Sequence, residues 1–213
     1  LAESIQLGRR GQIKRDLVAR GSITDTSSPK GMVLDHAARL FREHGYARTT
    51  VRDLAREVGI LPGSIFHHFQ SKDEILRMVM RDSIILNLAR VREALADATE
   101  TRARLRALIE CELWAINGDT GEAWTVLVRE WDSLSKAGQS NILELRDEYE
   151  ALWLSVLEQG HEQGLVPSQP FVLRRFLIGA LSWTVNWYRP EGDLSLDDLT
   201  DEAMRLATGG KTT

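Results

Sequence analysis

The sequence predicts an all-α protein: a small N-terminal group of three helices, then a larger helical bundle. Three observations predict it. Beyond residue 28 apolar residues recur with helical period, and no run alternates as a half-buried strand would. Gly, Pro and hydroxyl-bearing residues punctuate that pattern where helices start and stop. The stretch "TTVRDLAREVGILPGSIFHHFQSKDEIL", residues 49–76, packs two helical patterns and a tight turn into 28 residues. Isolated helices below about 12–15 residues are marginal in water, so these two must be held by packing, and something must require them to be short.

Residues 1–28 are polar and without period, and carry Arg9, Arg10, Lys14, Arg15 and Arg20. They read as a flexible basic arm. The first helix opens at Ser28-Pro29, a capping residue followed by proline at the first helical position. Leu34, Ala37, Ala38 and Phe41 mark one face, and Gly45 stops it. The second starts at Thr50, with Asp53 three residues on, close to a capping box. Its apolar face is Val51, Leu54, Ala55 and Val58, and Gly59 ends it. The third spans about 62–68, and Ser71 with Glu74 caps a long fourth helix reaching about residue 99. Later helices are expected near 101–117, 121–136, 140–163, 169–188 and 196–207, with breaks at Gly118, "KAGQS", "GLVPSQP" and "RPEGDLS". The expected domains are the arm at 1–28, the three-helix module at 29–75 and the bundle at 76–208.

A net charge of −4 argues against indiscriminate nucleic-acid binding, but the charge is uneven. Residues 1–80 hold 13 Lys/Arg against 9 Asp/Glu, and the remainder 14 against 22. A positive front and a negative back point to a polyanion-facing module joined to one that faces elsewhere. Cys111 is the only cysteine, so no intrachain disulfide can form, and it reads as a small buried hydrophobe. The longest uncharged apolar stretch, 176–188, has 13 residues. A membrane span needs about 20. The first sixteen residues contain no apolar signal-peptide core. A cytoplasmic protein with no membrane partner is expected.

Two short helices joined by a Gly-containing turn and braced by a preceding helix form the helix-turn-helix plan. This explains the shortness: a helix entering the major groove presents only its first turn or two, and its N-terminal end offers free N–H groups and positive dipole to phosphates. The partner implied is double-stranded operator DNA. Other chemistries find no support. His67 and His68 point about 100° apart on a helix and cannot chelate one metal together. His161-Glu162 lacks the second His of a zinc motif, and no Gly-rich phosphate loop, nucleophile elbow or carboxylate pair stands out. No catalytic residue, metal or cofactor is expected, and an enzyme is not.

Residues 29–76 closely resemble the TetR family of bacterial transcriptional regulators, through "ARLFREHGYARTTVRDLAREVGI" followed by "PGSIFHHFQSKDEIL". The resemblance implies Thr50 as the phosphate-contacting cap of the second helix. It implies Pro62, Gly63 and Ser64 as base- and phosphate-facing residues, His67 as a groove or backbone contact, and Lys72 as a phosphate contact. Arg52 and Phe66 complete the DNA-facing set. Two positions depart from the family. Leu61 stands where Ser or Thr commonly caps the recognition helix, a loss worth about 0.5–2 kcal/mol, so packing must hold the turn. Phe66 replaces the usual Tyr; its ring can pack but cannot donate to a phosphate, which leaves a purely structural role open. Both departures suit a rival reading, a helical ligand-binding or interaction protein without specific DNA binding.

All six tryptophans follow residue 110. An aromatic stripe at helical spacing is more often core than ligand box, yet a helical domain rich in amphipathic aromatics is also what an apolar pocket needs. Trp114, Trp124, Trp131, Trp183 and Trp187 are the candidate ligand-binding residues. The segment "LSWTVNWYRPEGDLSLDDLTDEAMRLATGG" is similar to the C-terminus of a TetR subgroup that senses acyl-CoA thioesters, in which a Trp-Tyr-Arg-Pro-x-Gly turn joins the last two helices. The resemblance implies a small hydrophobic effector such as an acyl-CoA, with Arg174, Arg175 and Arg189 the nearest candidates for its phosphates. A multidrug-type sensor is the alternative. The last two helices carry apolar faces, Leu173, Leu177, Ala180, Leu181 and Thr184 on one and Leu199, Ala203 and Leu206 on the other. Paired across a two-fold axis they would make a four-helix interface in a homodimer that reads a pseudo-palindromic operator. The expected function is a ligand-responsive DNA-binding regulator, a repressor released from its operator by the effector.

Overall fold

The computed structural model describes residues 2–210, with side chains from residue 8 onward; Leu1, the first residue of the expected arm, lies outside them. The described residues form ten α-helices and no strand. They group into two compact units, one of residues up to 86 with 122–146, the other of 87–121 with 147 onward.

The first unit holds α1 (Ala2–Ala19), α2 (Pro29–His44), α3 (Val51–Val58) and α4 (Pro62–Ile65), the start of α5 (Lys72–Asp97), most of α7 (Gly121–Arg129) and the start of α8 (Lys136–Glu162). Helix α1 corrects the expectation of an arm without regular structure. Its side chains bond at helical spacing, Gln12 to Asp16 at 2.7 Å and Arg15 to Gln12 at 2.7 Å. The chain that follows is fastened: Ile23 is buried, the Thr24 N–H donates to Asp82 at 2.8 Å, and Arg81 donates to the Ser22 carbonyl at 3.0 Å. Ser28 caps α2 by accepting from the Gly31 N–H at 3.0 Å. The return is tight enough that a Cβ on Gly31 would lie 1.9 Å from the Asp25 carbonyl oxygen, so only glycine fits.

Thr50 and Asp53 form a full capping box on α3. Its far end closes on Gly59 at φ +78, and the Ile60 N–H reaches back to the Ala55 carbonyl at 2.9 Å, a Schellman closure that turns the chain toward α4. Helix α4 is shorter than expected. After Ile65 it relaxes into i→i+3 bonds, Phe66 to Gly63, His67 to Ser64 and His68 to Ile65. Ile65 and Phe69 are its anchors, buried with Phe41, Leu54, Ile75 and Leu76.

Residues 122–146, which the expected boundary at 76 assigns to the bundle, pack with these helices. Glu122 lies 3.5 Å from Arg42, Glu130 accepts from the Tyr46 N–H at 3.2 Å, and Asp73 accepts from the Ser135 N–H and hydroxyl at 2.8 and 2.9 Å. Ser135 also caps α8 through the Gly138 N–H at 3.1 Å. "KAGQS" is therefore the first turn of α8 rather than a break, and the break falls at the 3₁₀ turn Trp131–Ser133.

The second unit holds α6 (Thr101–Asn117), α9 (Pro170–Trp183), α10 (Leu196–Thr208) and the remaining lengths of α5 and α8 around a core that includes Leu105, Leu108, Leu113, Trp153 and Leu157. Cys111 is buried in it. Helix α9 stops at Trp183, short of the expected 188, because side chains take its last carbonyls. The Thr184 hydroxyl donates to Leu181 at 2.6 Å, and Asn186 donates to Trp183 at 3.1 Å.

The faces expected to meet a second copy need correction. Leu173, Leu177, Leu181, Thr184, Leu199 and Ala203 are buried within their own unit, and only Ala180 and Leu206 of that set are exposed. A different stripe of α9 is open: Val172, Phe176, Ala180 and Trp183, with Phe176 72% and Trp183 65% exposed. Helix α9 is apolar on two faces, and its own unit uses one. No helix among the described residues is long and apolar enough to cross a membrane.

Candidate nucleic-acid interface and effector unit

The expected DNA-facing residues are all in the first unit, and the structure gives them unequal roles. Leu61, Pro62, Gly63, Phe66 and His67 are exposed around α4, and Ser64 is half-buried. Leu61 makes no side-chain cap and is itself 76% exposed. The recognition turn is held from beneath, by Ile65 and Phe69. Phe66 is 57% exposed, so most of its ring is not used in packing within the unit. An exposed ring there suits a sugar or a thymine methyl. Arg52 is exposed in the first turn of α3.

Gly63 is the most open position. A Cβ built on it meets nothing within 4 Å, so nothing in the fold demands glycine there. Close approach of a backbone to a ligand is one use of such a glycine. Gly63→Ala is expected to leave melting unchanged, as surface substitutions usually stay within about 0.5 kcal/mol. Operator affinity should fall about 5- to 150-fold, the equivalent of an overpacked methyl worth about 1–3 kcal/mol. A binding isotherm superimposable on wild type would remove α4 from the interface.

Thr50 and Lys72 also make hydrogen bonds within the first unit. The Thr50 hydroxyl donates its one proton to Asp53 at 2.6 Å and accepts from the Asp53 N–H at 3.2 Å, so that proton is engaged in the cap. The hydrogen bonds from Thr50 hold the Asp53 carboxyl below its ordinary range. Lys72 Nζ donates to the carbonyls of Tyr46 and Thr49, both at 2.8 Å, and sits 4.0 Å from the Tyr46 ring centroid. Burial lowers its pKa. Two of its three N–H groups therefore pin the loop that presents Thr50, and one remains for a phosphate. Two further clamps carry no sequence signal: Glu130 holds this loop through the Tyr46 N–H, and the Asp73–Ser135 pair joins the starts of α5 and α8. Their partners lie 84 and 62 residues apart.

The five candidate ligand tryptophans are divided between the two units. Trp124 and Trp131 belong to the first unit; Trp124 is buried there and Trp131 stacks under Arg146 at 4.0 Å. Trp183 and Trp187 are exposed beyond the core of the second unit, and Trp114 is half-buried in it. The arginines separate too. Arg175 pairs with Glu150 at 2.8 Å, Arg189 bonds the Tyr188 carbonyl, and Arg174 is buried over the Trp153 ring at 4.7 Å. What the second unit does bring together is Asn87, Glu112, Tyr149 and Arg174, from four different helices. The Tyr149 hydroxyl donates to Glu112 and accepts from Asn87 Nδ2 at 3.0 Å. Burial and the neighbouring Glu112 push the Tyr149 phenol well above its ordinary pKa, so it keeps its proton. Among the described residues no group of three or more His, Cys, Asp or Glu is arranged to hold a metal ion.

Comparison with known proteins bears on both units. Residues 33–79 match the description of bacterial regulatory proteins of the tetR family, and residues 98–210 that of the tetracyclin repressor-like C-terminal domain. The HTH-type transcriptional repressor KstR2 of Rhodococcus jostii (strain RHA1) is 32% identical over 191 residues, spanning 87% of this chain and 94% of its own. The structure of the ketosteroid transcriptional regulator KstR2 of Mycobacterium tuberculosis superposes with a TM-score of 0.78 at 31% identity, covering 90% of this chain and 98% of that one. The crystal structure of superantigen pfit superposes with a TM-score of 0.77 at 49% identity, covering 93% and 98%. With a helix-turn-helix built on α3 and α4, a helical unit after it, and relatives matched along nearly the whole length, the chain belongs to the tetR family of bacterial regulatory proteins and is a helix-turn-helix transcriptional regulator.

Proposed function

We propose that this regulator is a homodimeric repressor whose two α4 helices occupy the half-sites of a pseudo-palindromic operator. An apolar acid carried as its CoA thioester binds the unit of α6, α9 and α10 and releases the DNA. The observation that carries the DNA assignment is the exposed α4 face with open space above Gly63. Arg52, Pro62, Gly63, Ser64, Phe66 and His67 contact DNA in this reading, while Thr50 and Lys72 act chiefly through the backbone they hold. Trp183 and Trp187 belong to the dimer contact with Phe176. Trp114 is the one candidate tryptophan retained for the effector. The effector class is supported by the Trp187–Gly192 turn and by a 31% identical relative being named a ketosteroid regulator, which points to a bulky apolar body. Helices α5 and α8 each run without interruption from the first unit into the second and are continuous covalent routes between them.

An effector that dissociates DNA must prefer the conformer that does not bind DNA. It then raises thermal stability, by about 2.7 kcal/mol at a hundredfold excess over Kd, and lowers operator affinity by about 5- to 150-fold. The test is a panel of free acids, acyl-CoAs and bare CoA, read by melting temperature and by release of a labelled duplex from the protein's own upstream region. Acyl-CoAs active in both readouts are expected. If they fail while an unrelated amphipathic drug succeeds in both, the protein is a multidrug-type sensor.

A further inference from the structure

The polar cluster inside the second unit is more than packing requires. Asn87 and Glu112 are each 1% exposed, and Tyr149 and Arg174 are also buried. Apolar side chains of the same volume would pack there as well or better. The direction of the hydrogen bonds is fixed. Tyr149 gives its only proton to Glu112, so it must accept from the Asn87 amide nitrogen. That orients the Asn87 amide, with its nitrogen toward Tyr149 and its oxygen turned away. Asn87 Oδ1 then has no hydrogen-bond partner, and neither has Arg174 Nε, although both atoms are inaccessible to solvent. Buried groups left unmet in a native protein call for an explanation such as a ligand or an ordered water. A purely structural network would be closed. This one is open at the Asn87 acceptor and the Arg174 donor, and Trp153 Nε1, whose ring lies under Arg174, is a further buried donor without a partner.

We infer that the Asn87–Arg174 side of this cluster recognises a neutral hydroxyl on the apolar body of the effector, so that the preferred ligands are hydroxylated apolar acids rather than plain ones. This rests on the effector reading above. An alcohol matches both vacancies in kind: its proton suits Asn87 Oδ1, and a ligand oxygen suits Arg174 Nε–H. A plain hydrocarbon end would bury both groups unmet. A carboxylate has no proton to give Oδ1 and would bring a second negative charge toward Glu112. The cluster is absent from any sequence motif, since its members sit on α5, α6, α8 and α9.

The experiment uses the full chain and matched pairs of probes: hexanoyl-, decanoyl- and tetradecanoyl-CoA, each with its terminally hydroxylated counterpart, and the free acids of the same pairs. Dissociation constants are read by tryptophan fluorescence and calorimetry. The hydroxylated member of at least one pair should bind about 5- to 150-fold tighter, the weight of one buried hydrogen-bonding group otherwise left unmet. In Asn87→Leu that preference should vanish while the plain partner still binds; if this variant does not melt cooperatively, the wild-type pairs alone decide. Preference among the free acids without binding of any CoA thioester would keep this inference and overturn the CoA assignment. Acyl-CoAs that bind and release DNA with no preference for the hydroxyl would keep the CoA assignment and overturn this inference. Binding by none of the probes would overturn both.

Discussion

Phe176→Glu should leave each chain folded, convert the dimer to monomer, and weaken operator binding by about 100- to 10,000-fold. The side chain is 72% exposed, so charge there costs the isolated unit little. Phe176 is four residues from Ala180 and seven from Trp183, the exposed stripe of α9, and Leu206 on α10 is 71% exposed as well. Exposed apolar side chains of this size along one helix face mark an interaction surface, and a self-complementary contact is the commonest way to cover one. Gly179 and Ala180 lie on the same stripe and are small enough to let a partner helix approach. The affinity loss follows from bivalency: two linked reading heads gain an effective concentration that a single head lacks. Sedimentation equilibrium and duplex titration read the two effects. The contrast variant is Leu177→Glu, one residue away but buried at 4% exposure, which should unfold the second unit instead. A Phe176→Glu protein that stays dimeric would remove this face from the assembly.

Glu112→Leu should lower the melting temperature by about 6–20 °C, as a loss of about 3–5 kcal/mol at about 2–4 °C per kcal/mol. The carboxyl accepts the Tyr149 hydroxyl and raises the pKa of buried Arg174, which burial otherwise lowers. Its removal leaves a cation in an apolar interior without that support. The cost belongs to the broken set rather than to the cluster as such. Adding Arg174→Met to Glu112→Leu should therefore recover most of the loss. Equal melting of the single and double variants would mean that the two groups do not interact.

Much of the fold could be read from local pattern because much of it is set locally. Ser28-Pro29, Thr50 with Asp53, and Gly59 define ends that depend on residues three or four apart, and the helices appear where those signals put them. The misplacements share a cause. The start of α8 depends on Ser135, whose partner Asp73 is 62 residues away. Lys72 looks like a phosphate contact by motif, but the carbonyls it holds belong to a loop more than twenty residues earlier. On α9 the period reveals that apolar residues share faces; it cannot say which of two apolar faces the chain keeps for itself. Hence Leu177 reads as interface by period and is core, while the period does not single out the exposed Phe176. Residue type groups the tryptophans, and tertiary structure distributes them between two units. Asn87, Glu112, Tyr149 and Arg174 carry no spacing signal at all.

In the proposed assembly a dimer reads one DNA site through two α4 helices. Titration of a duplex from the protein's own upstream region, followed by fluorescence anisotropy at about 150 mM salt beside a shuffled duplex of equal composition, tests it most directly. One dimer per duplex is expected, with affinity at least about 1,000-fold tighter than for the shuffled sequence. A log–log salt slope near −0.9 for each phosphate neutralised is also expected. Equal affinity for the two duplexes, or saturation at one chain per site, would contradict that assembly.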